Sequence, residues 1–120
     1  MKMNAEQIRG YLRKYRQLQA EMKKLDAQAR SLTPQQAEKK REQLKQLADR
    51  CQIVDSWLQL LSDDEAFIVE QHLIAGIDMV RLEQVYREKW GELGKSERTL
   101  RRYQKRAVEK IVRFMDDEEI

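Results

Sequence analysis

Residues 90 to 107, WGELGKSERTLRRYQKRA, contain the tripeptide Gly94-Lys95-Ser96, which also ends the phosphate-binding P-loop. A P-loop needs another glycine five residues before Gly94 and a β-strand ahead of it, because its backbone N–H groups must wrap the phosphates. Position 89 is Lys89, and the residues before it have a helical pattern. We therefore interpret Gly94 as the end of one helix and Ser96 as the N-cap of the next.

Other side chains with catalytic or metal-binding chemistry are few and scattered. His72 is the only histidine and Cys51 the only cysteine, so one chain can assemble neither a zinc site nor a histidine-activated nucleophile. The acidic runs at positions 63–64 and 116–119 suit helix-dipole partners and a solvated tail better than metal ligands. We interpret His72 as a packing or surface residue and Cys51 as a small buried hydrophobe. The sequence predicts no enzymatic activity, no metal and no cofactor.

The composition is typical of a helical protein. Of the 120 residues 38% are charged, and glycine and proline together occupy five positions, which favours solvated helices over sheets. No apolar run reaches the ~18 residues that span a membrane, and none resembles a signal peptide. A single cysteine cannot form an internal disulfide. We expect an all-α, cytoplasmic protein with no membrane partner.

A stripe of apolar and small residues runs through the first quarter of the chain. Between positions 8 and 32 its members alternate in spacing between three and four, which is a heptad pattern. At the break that follows, Thr33 and Gln36 are spaced as a capping box, and Pro34 suits the first position of a helix. The heptad pattern resumes between positions 44 and 61. The sequence predicts two long helices within residues 1–61.

These two helices can pair within the chain as an antiparallel hairpin or between chains as a coiled coil. Because the stripe is narrow and two helices make a thin core, we expect a hairpin that also associates with a second chain as a homodimer. The association seam is predicted to contain Tyr15, Leu18, Met22 and Leu25. A second apolar face is expected to dock on the residues that follow, and it consists of Ile53, Trp57 and Leu60.

The second half of the chain has the signals of three shorter helices. In LSDDEAFIVEQHLIAG, Ser62 and Glu65 are spaced as a capping box, and Gly76 suits a helix terminator. The segment MVRLEQVYREKW is amphipathic, and a last helix begins after Ser96. We predict a three-helix domain at 62–115 and an acidic tail at 116–120.

The last helix has an apolar face and a basic face. Residues 96 to 115 contain seven basic and two acidic residues. A helical wheel predicts an inward face of Leu100, Tyr103, Ala107, Ile111 and Phe114. The opposite arc carries Arg98, Arg101, Arg102, Lys105 and Arg106. Three helices of which the last is capped and basic have the outline of a helix-turn-helix, whose recognition helix enters the major groove of double-stranded DNA.

The order LSDDEAFIVEQHLIAG, LEQVY, SERTLRRYQKRAVEKI resembles sigma-factor region 4, and more closely phage late-gene transcriptional regulators of the ArpU/RinA type. The resemblance covers residues 61 to 115 and implies that segment 97–115 is the recognition helix. It implies DNA contacts for Arg98, Arg101, Arg102 and Lys105. The flanking Ser96 and Arg106 complete the predicted DNA-binding set.

Two departures from region 4 shape this expectation. The connection at 90–96 is longer than the usual tight turn, and residues 1–62 offer no domain that could read a second promoter element. We therefore expect an accessory transcriptional regulator rather than a complete sigma factor, with a contact to RNA polymerase left open. The alternatives are a phage terminase small subunit, which assembles as a ring, and a helical adaptor whose basic face binds an acidic protein.

Overall fold

The computed structural model describes residues 2–91 and 95–117, and every regular element in this part of the chain is helical. The all-α expectation is confirmed. Gly94 and the end of the predicted acidic tail, 118–120, lie outside the described residues. No helix in the described ranges is both long enough and apolar enough to cross a membrane. In chain order the elements are α1 (Ala5–Arg13), α2 (Tyr15–Arg30), α3 (Pro34–Gln59), α4 (Asp63–Ile68), a π-helix (Val69–Ile74), α5 (Met79–Trp90) and α6 (Glu97–Asp117).

The first heptad stripe forms two helices, not one, and Lys14 separates them. A capping box starts α1, in which Gln7 N donates to Asn4 Oδ1 at 2.8 Å and Asn4 N donates to Gln7 Oε1 at 2.9 Å. The stripe divides because its two parts have different partners. Ile8 and Leu12 of α1 are fully buried, and α1 packs on α6 and the π-helix, whereas α2 packs on α3.

α2 and α3 lie side by side in opposite directions. Tyr15 Oη donates to Asp55 Oδ1 at 2.6 Å, and Met22 Sδ lies 3.4 Å from Cys51 Sγ. Pro34 is the first residue of α3, as predicted, because its missing N–H would have no helical partner there. The predicted capping box at this position is wrong, since the Thr33 side chain makes no capping hydrogen bond.

A first hydrophobic core joins the α2–α3 pair to the second half of the chain. Trp57 of α3 is fully buried, and its Nε1 lies 3.3 Å from Met115 Sδ in α6. Leu60 is 39% exposed, so the docking face predicted at the end of α3 does not include it. The first core consists of Ile8, Leu12, Tyr15, Leu18, Cys51, Val54, Trp57, Val69, Leu73, Ala107, Val108, Ile111 and Met115. Residues on both sides of the predicted boundary at 61/62 therefore share one core.

A second, smaller core lies between α4, α5 and α6. Its buried members are Phe67, Ile68, Met79, Leu82, Tyr86 and Leu100. The ring of Trp90 packs against it, 4.9 Å from the Phe67 ring centroid and 4.5 Å from that of Tyr86. The last three helices thus divide their apolar residues between two cores.

The helix that begins with α4 changes its winding at Val69. Ser62 and Glu65 form the predicted capping box, with Ser62 N donating to Glu65 Oε1 at 3.0 Å. Beyond Ile68 the backbone continues as the π-helix, which ends at Ile74. Gly76 follows the C-cap residue Ala75, and its φ of 78° suits a residue without a side chain. The prediction of Gly76 as a terminator is confirmed.

Candidate nucleic-acid interface

Two groups fix the beginning of α6. Thr99 N donates to Ser96 Oγ at 3.4 Å and Leu100 N donates to Ser96 O at 3.0 Å, so Ser96 caps the helix as predicted. The carboxylate of Glu83, from α5, accepts a hydrogen bond from Glu97 N. A carboxylate at this end also interacts favourably with the helix dipole. The role of Glu83 depends on a contact between helices, and no local sequence signal indicates it.

The buried face of α6 is rotated from the predicted one. Tyr103 and Phe114 are only half-buried. At ~100° per residue the observed face is turned by about 50°, because α1 also packs against α6. The buried residues of α6 are Leu100, Gln104, Ala107, Val108, Ile111 and Met115.

The predicted basic residues are all exposed along the first half of α6. Arg101 forms an ion pair with Glu97 one turn earlier at 2.8 Å, which leaves its side chain 60% exposed. The exposed basic residues, which we call the basic face, are Arg98, Arg101, Arg102, Lys105 and Arg106. Within residues 2–91 and 95–116, Arg98, Arg102 and Lys105 form no ion pair.

Arg106 differs from the other basic residues because a buried carboxylate holds it. Glu65 of α4 is 1% exposed, and its Oε2 accepts from Arg106 Nε at 3.1 Å while its Oε1 accepts from Lys110 Nζ at 2.6 Å. The guanidinium of Arg106 also lies 4.7 Å from the centroid of the Tyr103 ring. These contacts tie α4 to α6.

The protonation of Glu65 follows from the same contacts. Burial alone would raise the pKa of its carboxyl, but hydrogen bonds from Lys110 and Ser62 and the charge of Lys110 outweigh this, and the pKa is lowered. Glu65 therefore stays ionised and keeps both cations in place. The sequence indicated its capping role but not this ion pair.

A cleft of ≈ 490 Å³ opens beside the basic face, where α1 and the π-helix meet α6. We call it the basic cleft; it is lined by Glu6, Arg9, Arg13, His72, Leu73, Arg101, Gln104 and Lys105. His72 is half-buried, and its Nδ1 donates to the carbonyl of Ile77 at 2.8 Å, which makes it a packing residue of the turn after the π-helix. The arginines of α1 were not among the residues that the sequence singled out.

The residues predicted for association lie between the helices of the α2–α3 pair. Tyr15 and Leu18 are each 9% exposed, while Met22 and Leu25 are half-buried. Their stripe contacts α3 of the same chain, and association with a second chain stays a prediction. The neighbouring Cys51 is buried, as predicted, and burial together with the charge of Asp55 raises the pKa of its thiol. A protonated thiol is a poor nucleophile.

The described residues contain no group of three or more side chains placed to hold a metal ion. Comparison of the chain with protein-family models, curated proteins and solved structures found no match. The function must therefore be inferred from the chemistry of the basic face and of the helices that hold it.

Proposed function

We propose that this protein is a sequence-specific DNA-binding transcriptional regulator of the phage late-gene type, with α6 as the recognition helix of a helix-turn-helix. The observation that carries the proposal is the basic face, which exposes five cationic side chains along the first half of one capped helix. The major groove of B-DNA is about 12 Å wide and admits an α-helix, with the first turns nearest the base edges.

The residues of the basic face suit different contacts. Arg98 and Arg102 lie four residues apart, so they share one side of α6, and an arginine fork can donate two hydrogen bonds to guanine O6 and N7. Lys105 provides a flexible point charge that suits a phosphate oxygen.

Base readout also requires a helix whose orientation does not change. Glu83 binds the first turn of α6 to α5, and Glu65 binds its middle to α4 through Arg106. Buried Leu100 and Ala107 add apolar contacts between these two points. Because α6 is held in this way, its arginines lose little orientational freedom when they bind DNA, which favours specific recognition.

We further propose that two chains pair on a two-fold symmetric DNA site, since helix-turn-helix dimers place one recognition helix in each half-site. Met22 and Leu25, which α3 covers only in part, are the residues of the predicted seam that a second chain could reach. A contact with RNA polymerase would give the bound dimer its regulatory effect.

The proposal is tested by selecting duplexes from a random library and titrating the best one by fluorescence anisotropy. Arg98→Ala and Arg102→Ala should each weaken binding by about 1 to 3 kcal/mol and relax the base preference at one position. Lys105→Ala should weaken binding to all duplexes alike and make the slope of log association constant against log salt concentration shallower by about one unit.

The matched control is Arg41→Ala, which removes an exposed arginine of α3 near the tip of the α2–α3 pair. It should bind as the wild type does. If the arginine variants of α6 also bind as the wild type does, α6 is not the recognition helix. Absence of binding to any duplex would favour the adaptor alternative, and a ring-sized particle in light scattering would favour a terminase small subunit.

A further inference from the structure

Two arginines of α1 lie on the opposite wall of the basic cleft from α6. Arg9 and Arg13 are four residues apart and share one face of α1, as Arg101 and Lys105 do on α6. The single carboxylate in the lining is Glu6. With its histidine counted as neutral, the lining carries a net charge of +3.

The position of the α1 arginines is fixed by the fold. Ile8 and Leu12, on the other side of α1, are fully buried in the first core together with Val108 of α6. The capping box at Asn4 orders the beginning of α1. Arg9 and Arg13 are therefore held next to α6 and do not belong to a loose terminal segment.

The lining of the cleft indicates the chemistry of its ligand. Like charges on facing helices repel one another, and an anion between them lowers their energy. Arginine presents a planar fork that matches two oxygens of one phosphate. Gln104, only 7% exposed, adds an uncharged amide to the wall. These groups suit phosphate better than an apolar or a cationic ligand.

We propose that the basic cleft binds the phosphate backbone of the DNA that α6 reads, with Arg9 and Arg13 as contacts from outside the helix-turn-helix. The proposal rests on the proposed function. Arg101 and Lys105 belong both to the cleft and to the basic face. A DNA strand that borders the major groove holding α6 would therefore pass the cleft. At ≈ 490 Å³ the cleft has room for linked phosphates and the sugar between them.

The test compares the full-length wild type with the double variant Arg9→Ala/Arg13→Ala on the selected duplex and on a scrambled one. Phosphate contacts carry no base information. The substitutions should therefore weaken binding to both duplexes by the same factor, roughly tenfold at low salt. They should also make the slope of log association constant against log salt concentration shallower by about 1 to 2 units. Base preference should be unchanged.

Two further variants and an unfolding measurement separate charge from structure. Arg9→Lys/Arg13→Lys keeps both charges and should restore most of the salt slope. Arg41→Ala should leave the slope unchanged. Thermal unfolding followed by circular dichroism should show that the alanine variant keeps its fold, because Arg13 is exposed and the core contacts of α1 come from other residues.

The outcomes distinguish this proposal from the proposed function. If Arg98→Ala loses base preference while Arg9→Ala/Arg13→Ala keeps the wild-type slope, the cleft does not bind the backbone, although α6 still reads DNA. If the wild type binds no duplex, the proposed function fails and the backbone assignment fails with it. Inorganic phosphate then tests for a free anion as the source. If inorganic phosphate raises the melting temperature of the wild type but not that of Arg9→Ala/Arg13→Ala, the cleft binds a free phosphate anion. If it raises neither melting temperature, the proposed phosphate chemistry of the cleft is wrong.

Discussion

Glu65 is a carboxylate that the fold removes almost completely from water and then neutralises. Two cations from α6, Arg106 and Lys110, reach it from the protein surface, where their side chains are 55% and 41% exposed. Because the cations remain partly hydrated, the desolvation cost falls mainly on the carboxylate, and it is offset by several hydrogen bonds. These ion pairs hold α6 to α4 in addition to the apolar contacts of α6.

Replacing Glu65 by glutamine should lower the free energy of unfolding by about 1 to 3 kcal/mol near pH 7, because two ion pairs and part of the cap are lost. The lowered pKa of Glu65 sets the pH dependence. Its stabilisation is fully present above the ordinary value of 4.5 and is lost as the pH falls through the lower, folded-state pKa. Urea unfolding at pH 7 and near pH 3 should therefore show a smaller difference between wild type and variant at the lower pH.

Glu109→Gln is the control for this change, since it removes an exposed carboxylate from α6. It should leave the stability nearly unchanged at both pH values. If Glu65→Gln lowers the free energy of unfolding as much near pH 3 as at pH 7, the ion pairs contribute little and the loss of stability has a steric origin.

Local signals made part of this site predictable. Ser62 and Glu65 are three residues apart, and the capping box follows from that spacing. The pairing of Glu65 with Arg106 spans 41 residues and depends on how α4 packs on α6, which no local pattern encodes. The exposure of the basic face was predicted from the helical wheel, whereas its neighbours Arg9 and Arg13 depend on the placement of α1.

At the scale of the elements, α2 shows how a heptad stripe can be satisfied within one chain. Leu18 is nearly buried against α3, close to the hydrogen bond between Tyr15 and Asp55. The stripe predicted helices and favoured pairing within the chain, but it did not predict that its first part would form a separate helix, α1, packed on α6 and the π-helix. Its periodicity is the same along both parts, so the interruption at Lys14 arises from packing and leaves no trace in the spacing.

Leu18→Asp would place a carboxylate in the first core and should lower the stability by several kcal/mol, because a buried charge without a partner is strongly unfavourable. The melting temperature by circular dichroism should fall sharply whether or not the chain is a dimer. Ala20→Asp puts the same charge on the exposed side of α2 and should cost less than about 1 kcal/mol. If sedimentation instead shows monomers with wild-type stability, Leu18 lies at an interface between chains.

The whole molecule is held together by a core to which both halves contribute. Trp57 joins α3 to Met115 of α6, and the ring of Tyr11 in α1 lies 5.3 Å from that of Trp57 in an edge-on arrangement. The change in charge and the capping box at Ser62 led to the predicted boundary at 61/62, but the shared core includes residues on both sides of it. Sequence patterns show where a helix begins, but which helices share a core depends on contacts distant in the chain.

Trp57→Ala should cost about 3 to 5 kcal/mol by leaving a cavity, and should destabilise both halves together. The change leaves Trp90 as the single tryptophan, so fluorescence reports on the second core alone. The urea midpoint from Trp90 should fall with the midpoint from circular dichroism. Leu60→Ala, at a more exposed site, is the control and should shift either midpoint far less. Separate midpoints would show that the halves unfold independently.

The π-helix at Val69–Ile74 has a consequence for insertions and deletions in this chain. Phe67 and Ile68 lie in the second core, whereas Val69 and Leu73 lie in the first, so one continuous helical segment serves two cores. A π turn holds about one residue more than an α turn. Removing one residue here and winding the remainder as ordinary α-helix would therefore keep the segments on either side at nearly the same angle about the helix axis, because the wider π turn already absorbs the extra residue. A single deletion in this segment should therefore be tolerated better than one within α5 or α6, where it would turn all residues beyond it by about 100°.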